Sequence, residues 1–424
     1  TPSDGRSHRN TPGLADHFSR DVSEFCADGG SMRLAIVQSH PTQYYSPWFR
    51  YVQMQAEIEL RVFYLWEFGV TRQTDRQFGT AFQWDIDLLS GYEHEFVRKV
   101  ARDPGTHHFG GLDNPALTKR LADWQPDALL LFGYKWKSHL RAIFWARRNR
   151  VPLLFRGDSH FIGRGNPPRL TRWLLSLLYR QFSAFLYVGA ANRDYFLALG
   201  VPAERLFFAP HSVDDSLFDP ARLDHRAAAE KLRRDLALPS DRKVVLFAGK
   251  FVPAKQPVEL LRAFIALKDT GATLLFVGDG PLDPELQSIA AENPAADVRF
   301  LPFANQSEMP ARYLLADVFV LPSSGLYETW GLAVNEAMHM GVPALVSERV
   351  GCQRDLVEDG VTGWVFRHDS AEMLRERLHQ ALAYLGAPLT ADALRRRVKE
   401  RISAYTYRQT TAGLRQALEE LNPG

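Results

Sequence analysis

Short apolar runs bounded by turn residues alternate along this chain with longer stretches whose apolar positions recur at helical spacing. That alternation is the pattern of a parallel sheet with crossover helices, because strands covered on both faces read as unbroken hydrophobic runs. Strands are expected at 33–38, 59–64, 128–132, 152–155, 184–188 and 205–209, then at 243–248, 273–277, 298–301, 318–321 and 343–346. Amphipathic segments at 136–149 and 168–182 fall between strands of the first half, and the charged, Ala-rich stretch 225–237 reads as a helix. A final helix over about 396–421 is expected to pack back on the first half.

The boundary between halves falls between Ser212 and Asp241, where Asp-Asp and Asp-Pro steps interrupt the pattern. The expected organisation is a tail at 1–31, a first domain at 32–213, a linker with helix at 214–240, a second domain at 241–395 and a closing helix within 396–424. The fold class is α/β: two Rossmann-like, doubly wound parallel-sheet domains facing across a cleft. Ligands bind such sheets beyond the carboxyl ends of the strands. Two facing units therefore enclose a site suited to bringing two substrates together away from water.

A length of 424 residues agrees with two domains, and 46% hydrophobic with 24% charged residues is the composition of a soluble globular protein. The 51 Lys and Arg nearly balance 49 Asp and Glu, so global charge says little about partners. Two cysteines, Cys26 and Cys352, give no disulfide framework and fit a reducing cytoplasm. No apolar run approaches the roughly 18 residues of a membrane span. Residues 1–31 are polar and lack the apolar core of a signal peptide, and Met32 reads as the natural start.

The candidate chemistry lies in the second half. Phe247-Ala248-Gly249-Lys250 ends a strand at a glycine, and Lys255 follows five residues after Lys250. Two ammonium groups at that sheet edge can neutralise a diphosphate, although the segment alone also reads as an ordinary solvated loop. Val277-Gly278-Asp279-Gly280-Pro281 is a strand and a glycine turn. As a dinucleotide fingerprint it lacks the third glycine, and Pro281 interrupts it. The informative segment runs from Leu321 to Pro343, with a loop carrying Glu328 and a helix from about Gly331 to Gly341. Glu328 then sits just outside the helix N-terminus and Glu336 more than a turn inside it. Free amides at such a tip, with the helix dipole, make an anion site flanked by two carboxylates that can accept from sugar hydroxyls.

Over about 241–367 the sequence resembles the retaining glycosyltransferases of family 4, which have the GT-B fold. The resemblance rests on the glutamate pair Glu328 and Glu336, the Gly278–Pro281 turn and the segment Asp359-Gly360-Val361-Thr362-Gly363. It implies that Glu328 contacts the donor sugar and Glu336 the nucleotide ribose. It also implies that Lys250 and Lys255 hold the diphosphate while amides at Gly331 and Leu332 cradle it. Gly249, Thr329 and Phe303 complete the candidate donor-binding set. The implied activity is transfer of a hexosyl group from a nucleoside diphosphate sugar, UDP or GDP, to an acceptor hydroxyl with the anomeric configuration kept. In the implied reaction the acceptor attacks on the face the phosphate leaves, without metal or further cofactor, and the setting is bacterial surface glycan or glycolipid assembly.

The chain departs from the family pattern in places. Lys250 stands where arginine is usual, Gln256 replaces a common glycine, and the loop Ser39–Tyr45 lacks a frequent glycine pair. The family's frequent first-half histidine aligns with Asp158, and His160 lies two residues later, so both are candidate catalytic groups. His160 reads equally as an acceptor-site residue or as a structural loop histidine. The triplet Asp85-Ile86-Asp87 is the obvious metal candidate, but it lies far in sequence from the donor segment and reads as surface or acceptor loop.

The stretch 135–181 carries eleven basic residues, among them Arg147, Arg148, Arg150, Arg156, Arg164, Arg169 and Arg180, against the single acid Asp158. Leu170, Trp173, Leu174, Leu177, Leu178 and Phe182 recur within it at helical spacing. The apolar stripe is expected to pack on the chain's own sheet. The basic surplus points to weak binding at an anionic membrane, on its inner face, and to a glycan or lipid-linked acceptor. Nucleic acid is not expected, since no recognition helix or RNA-binding signature appears. The competing readings are a sugar-nucleotide epimerase of the same architecture and a non-catalytic nucleotide-sugar-binding protein.

Overall fold

The computed structural model describes residues 31–70, 73–74, 81–163, 165–268, 270–325 and 328–421. All but Ser31 of the tail read at 1–31, together with Cys26 and Arg164, therefore lies outside the described residues. The first sheet is built from β1 (Met32–Gln38), β2 (Ile58–Tyr64), β3 (Glu93–Phe96), β4 (Ala128–Phe132), β5 (Leu153–Arg156), β6 (Ala184–Tyr187) and β7 (Leu206–Phe208). The second is built from β8 (Lys243–Ala248), β9 (Ala272–Val277), β10 (Val298–Leu301), β11 (Val318–Leu321), β12 (Ala344–Ser347) and β13 (Gly363–Phe366).

The spatial orders are β3-β2-β1-β4-β5-β6-β7 and β10-β9-β8-β11-β12-β13, with every neighbouring pair parallel. Each order reverses once, between β1 and β4 and between β8 and β11, and that switch point is where a doubly wound sheet opens a crevice for ligands. The first sheet has apolar cores on both faces, one around Leu131, Phe155 and Phe185, the other around Ile36, Tyr64 and Leu130. A single large core around Leu246, Phe276 and Phe319 holds the second lobe together.

Edge strands β3 and β13 escape a reading by apolar runs. Strand β3 is Glu-His-Glu-Phe with no fully buried residue, and β13 is only four residues long and begins at a glycine. The helix expected over 396–421 is instead two, Pro388–Ile402 and Tyr407–Leu421, broken at 403–406. The first joins the core of the second lobe through Ala391, Leu394, Val398 and Ile402. The second crosses to the first lobe and buries Tyr407, Leu414, Ala417 and Leu418 beside Ile36 and Leu186. Trp48 Nε1 donates to Thr411 Oγ1 at 3.0 Å, fixing that docking. The linker helix, Leu223–Asp235, belongs physically to the second lobe: Arg233 donates to the Leu315 carbonyl at 3.5 Å, and Phe218 and Leu238 enter that core. No helix among the described residues is long and apolar enough to cross a membrane.

Candidate active site

Loops from the carboxyl edges of both sheets enclose a cavity of about 490 Å³ between the lobes. That volume lies in the ordinary range for small-molecule sites. Strand β8 ends at Ala248, and the chain turns through Gly249 and Lys250 into the short turn Pro253–Lys255. The glycine turn after β9 braces this loop. The Asp279 carbonyl accepts from the Phe251 amide at 2.9 Å and the Val277 carbonyl from the Gly249 amide at 3.0 Å. A Cβ on Gly278 would sit 2.0 Å from the Gly249 carbonyl oxygen, so only glycine lets the two loops close on each other. The turn is a support for the lysine loop.

Strand β11 ends at Leu321, and the helix Leu332–His339 opens at Gly331. Gly331 has φ +99°, and a Cβ there would approach Val350 Cγ1 to 2.9 Å. Gly331 and Leu332 line the cavity, at a helix tip whose first amides have no intrahelical acceptor and whose dipole favours an anion. Gly249, Lys250, Lys255, Glu328, Thr329 and Phe303 line the same space, as does Glu336. The donor-side residues singled out in the sequence thus share one crevice.

Glu336 is buried, and its carboxylate already accepts three hydrogen bonds. Oε1 takes Tyr44 OH at 3.1 Å and Gln306 Nε2 at 3.1 Å, and Oε2 takes Tyr313 OH at 2.7 Å. Burial pushes this carboxyl up from its ordinary value, and the three donors oppose the rise. A carboxylate has about four acceptor directions, so roughly one remains toward the cavity. Tyr44 comes from the loop after β1, which makes this network a bond between lobes. Glu328, half-buried, accepts from Ser323 Oγ at 2.9 Å and forms an ion pair with Lys255. The lysine and the glutamate at the mouth therefore occupy each other in this state.

On the facing lobe, Asp158 lines the cavity and accepts from Thr329 Oγ1 across the cleft at 2.7 Å. His211 Nε2 stands 3.6 Å from Asp158 Oδ2. Its loop is held by buried Arg156, which donates to the carbonyls of Ala209 at 2.7 Å and Pro210 at 3.2 Å. Arg156 is therefore removed from the basic surface to which sequence alone assigns it. Burial raises the Asp158 carboxyl, but the imidazole of His211 beside it and the bond from Thr329 outweigh the rise and leave the group at about 2. Burial lowers the imidazole of His211 from its ordinary value, and the neighbouring Asp158 opposes that fall. His160 does not line the cavity: it is buried, and its Nδ1 accepts from the Ile162 amide at 3.1 Å. Of the two first-half candidates, Asp158 therefore lines the crevice and His160 does not, while His211 joins Asp158 there.

His211, Tyr44, Gln306 and Tyr313 are cavity-lining residues that sequence reading misses. The one local signal was Pro210-His211 directly after a strand end. The Asp85 and Asp87 carboxylates serve separate purposes. Asp85 accepts from the Ser307 amide at 3.3 Å across the lobes, and Asp87 from the amides of Leu89 at 3.0 Å and Ser90 at 3.1 Å.

Asp158 gives a pH dependence of known sign. Its folded carboxyl titrates below the unfolded one, so it contributes stability above about pH 4 that is lost as pH falls toward about 2. Urea unfolding across that window is expected to show a steeper loss for the parent chain than for Asp158→Asn. Parallel slopes in the two proteins would remove Asp158 from this role.

The family model for group 1 glycosyl transferases matches residues 228–400, and that for a glycosyl transferase 4-like domain matches residues 70–211. A D-inositol 3-phosphate glycosyltransferase of Thermomonospora curvata is 37% identical over 186 residues, 41% of this chain and 42% of that protein. Sulfoquinovosyl transferase SQD2 of Arabidopsis thaliana is 26% identical over 323 residues, 71% of this chain and 58% of that protein. The matches thus span about half the length of these curated relatives. Anabaena HepE, solved in complex with UDP and glucose, superposes with a TM-score of 0.67 at 16% identity, over 92% of this chain and 100% of that one. With matched models over the second lobe and most of the first, and two parallel doubly wound sheets facing across a cleft, the chain belongs to the group 1 glycosyltransferases of the GT-B fold.

Proposed function

We propose that this protein transfers a sugar from UDP- or GDP-sugar to an acceptor hydroxyl with retention of configuration. The observation that carries the reading is the helix tip at Gly331 and Leu332 with Glu328 and Glu336 on either side and both lysines in the same crevice. The nucleotide ribose takes the open acceptor direction of Glu336, and Lys250, Lys255 and the tip amides meet the diphosphate. Lys255 then moves its charge from Glu328 to phosphate, which frees Glu328 to accept from a sugar hydroxyl. The C1–O bond to phosphate breaks, the acceptor oxygen bonds to C1 on the same face, and the acceptor proton passes to the departing phosphate oxygen. The negative charge growing on the diphosphate is stabilised by preset cations and amides, with no metal and no further cofactor.

The acceptor we assign is a glycan or lipid-linked molecule of bacterial surface assembly, met at the inner face of an anionic membrane. Relatives bearing glycosyltransferase names and a fold neighbour solved with UDP support the donor class. The test is a thermal-shift panel of UDP-, GDP- and dTDP-sugars, followed by product analysis with and without acceptor and with a chelator. One nucleotide series is expected to raise the melting temperature. Product is expected only with acceptor, at a rate the chelator leaves unchanged. Conversion of the donor alone would make the protein an epimerase, and loss of activity with chelator would return a metal to the mechanism.

A further inference from the structure

The helix Arg169–Tyr179 follows β5 and packs inward only through Leu175, Leu178 and Tyr179. Its other apolar residues face out: Leu170 is 66% exposed, Trp173 57%, Leu174 53% and Leu177 36%. These four lie at i, i+3, i+4 and i+7, which is one continuous stripe. The expectation that the apolar stripe covers the chain's own sheet therefore holds for Leu178 and Phe182 and fails for these four. The neighbouring helix, Lys137–Asn149, packs through Ala142, Ile143 and Ala146 and exposes Leu140 and Phe144. The two helices join β4 to β5 and β5 to β6, three adjacent parallel strands, so right-handed crossovers set them side by side on one face. Half of the large apolar side chains exposed among the described residues lie on this pair.

A fringe of charge surrounds the patch. Arg147, Arg148, Arg150, Arg169 and Arg180 are exposed, and none has a carboxylate partner among the described residues. We infer that this two-helix face docks on an anionic phospholipid bilayer. Apolar side chains enter the headgroup boundary, the Trp173 ring sits at the interface, and the arginines meet lipid phosphates. A second copy fits poorly, since pairing this face with itself sets arginine against arginine. The helix after β5 starts at the carboxyl edge of the sheet, the edge that also carries Asp158 into the cavity. Docking therefore turns the cleft toward the lipid, where a lipid-linked acceptor is presented. The inference supplies the surface that the membrane part of the proposed function requires and rests on that reading for its purpose alone.

The test is flotation of the full chain with vesicles of phosphatidylcholine alone or mixed with phosphatidylglycerol. Binding is expected on the mixed vesicles at low salt, falling as salt rises. Trp173→Glu with Leu174→Glu is expected to remove it, and Arg169→Glu with Arg180→Glu to weaken it on the order of tenfold. All four positions are exposed, so the melting temperature and its shift with donor should stay unchanged, which separates this inference from the assignment of the donor site. Equal recovery on neutral and anionic vesicles, or binding untouched by both double variants, overturns it. So does a dimer in sedimentation that Trp173→Glu dissolves while vesicles bind nothing.

Discussion

Replacing Glu336 with alanine is expected to lower kcat/KM for the sugar donor by roughly 10²- to 10³-fold and to lower the melting temperature together with it. The two effects have one origin. The carboxylate gathers Tyr44, Tyr313 and Gln306 around a single buried point, and its removal strands all three donors. A buried donor left without a partner costs about 1–3 kcal/mol. The open direction toward the cavity disappears with it, and on the proposed reading that direction holds a ribose hydroxyl. Glu336→Gln is the informative companion, since it keeps the volume and one acceptor oxygen but turns an NH2 toward groups that donate. Stability near that of the parent with donor turnover still lost would separate the binding role from the structural one. Full turnover in the alanine variant would remove Glu336 from the site.

Replacing Lys255 with alanine should reduce kcat on the order of 10²- to 10³-fold, which corresponds to about 2.7–4 kcal/mol of transition-state stabilisation. Donor binding draws the ammonium from Glu328 to the diphosphate, so the cation is in place before the diphosphate departs. The variant also leaves Glu328 half-buried with Ser323 as its remaining hydrogen-bond donor among the described residues, and the like charge then repels an incoming phosphate. Lys255→Arg keeps the cation and is expected to recover part of the rate. A steady-state comparison of the three proteins, with kcat read apart from KM, checks this. Equal kcat in all three would show that the lysine only balances Glu328.

What could be read from the sequence follows from burial. Strands such as Lys243–Ala248 and Ala272–Val277 are enclosed on both faces and announce themselves as apolar runs. Glu93–Phe96 sits at an edge and does not. The glutamates and the helix tip were legible because one strand–loop–helix unit carries them within a short stretch. Tyr44 was not, because its bond to Glu336 exists only once the lobes meet and joins residues 292 positions apart, and His211 was not, because only the folded first lobe sets it beside Asp158. Periodicity found the stripe in Arg169–Tyr179 but could not say which way it faces. Nor could a count of arginines show that Arg156 is buried beneath His211's loop while Arg169 and Arg180 stand in solvent. That Asp158 lines the cavity and His160 does not is a matter of two residues of loop geometry, which no spacing rule resolves.

The central claim is that the helix tip and the lysines grip a pyrophosphate. The most direct measurement is calorimetric binding of a nucleoside, its monophosphate and its diphosphate, in the base series the thermal-shift panel selects, to the parent chain and to Lys255→Ala. The diphosphate is expected to bind on the order of a hundredfold more tightly than the nucleoside, with most of that gain lost in the variant. Equal affinities for nucleoside and diphosphate in the parent chain would contradict the account.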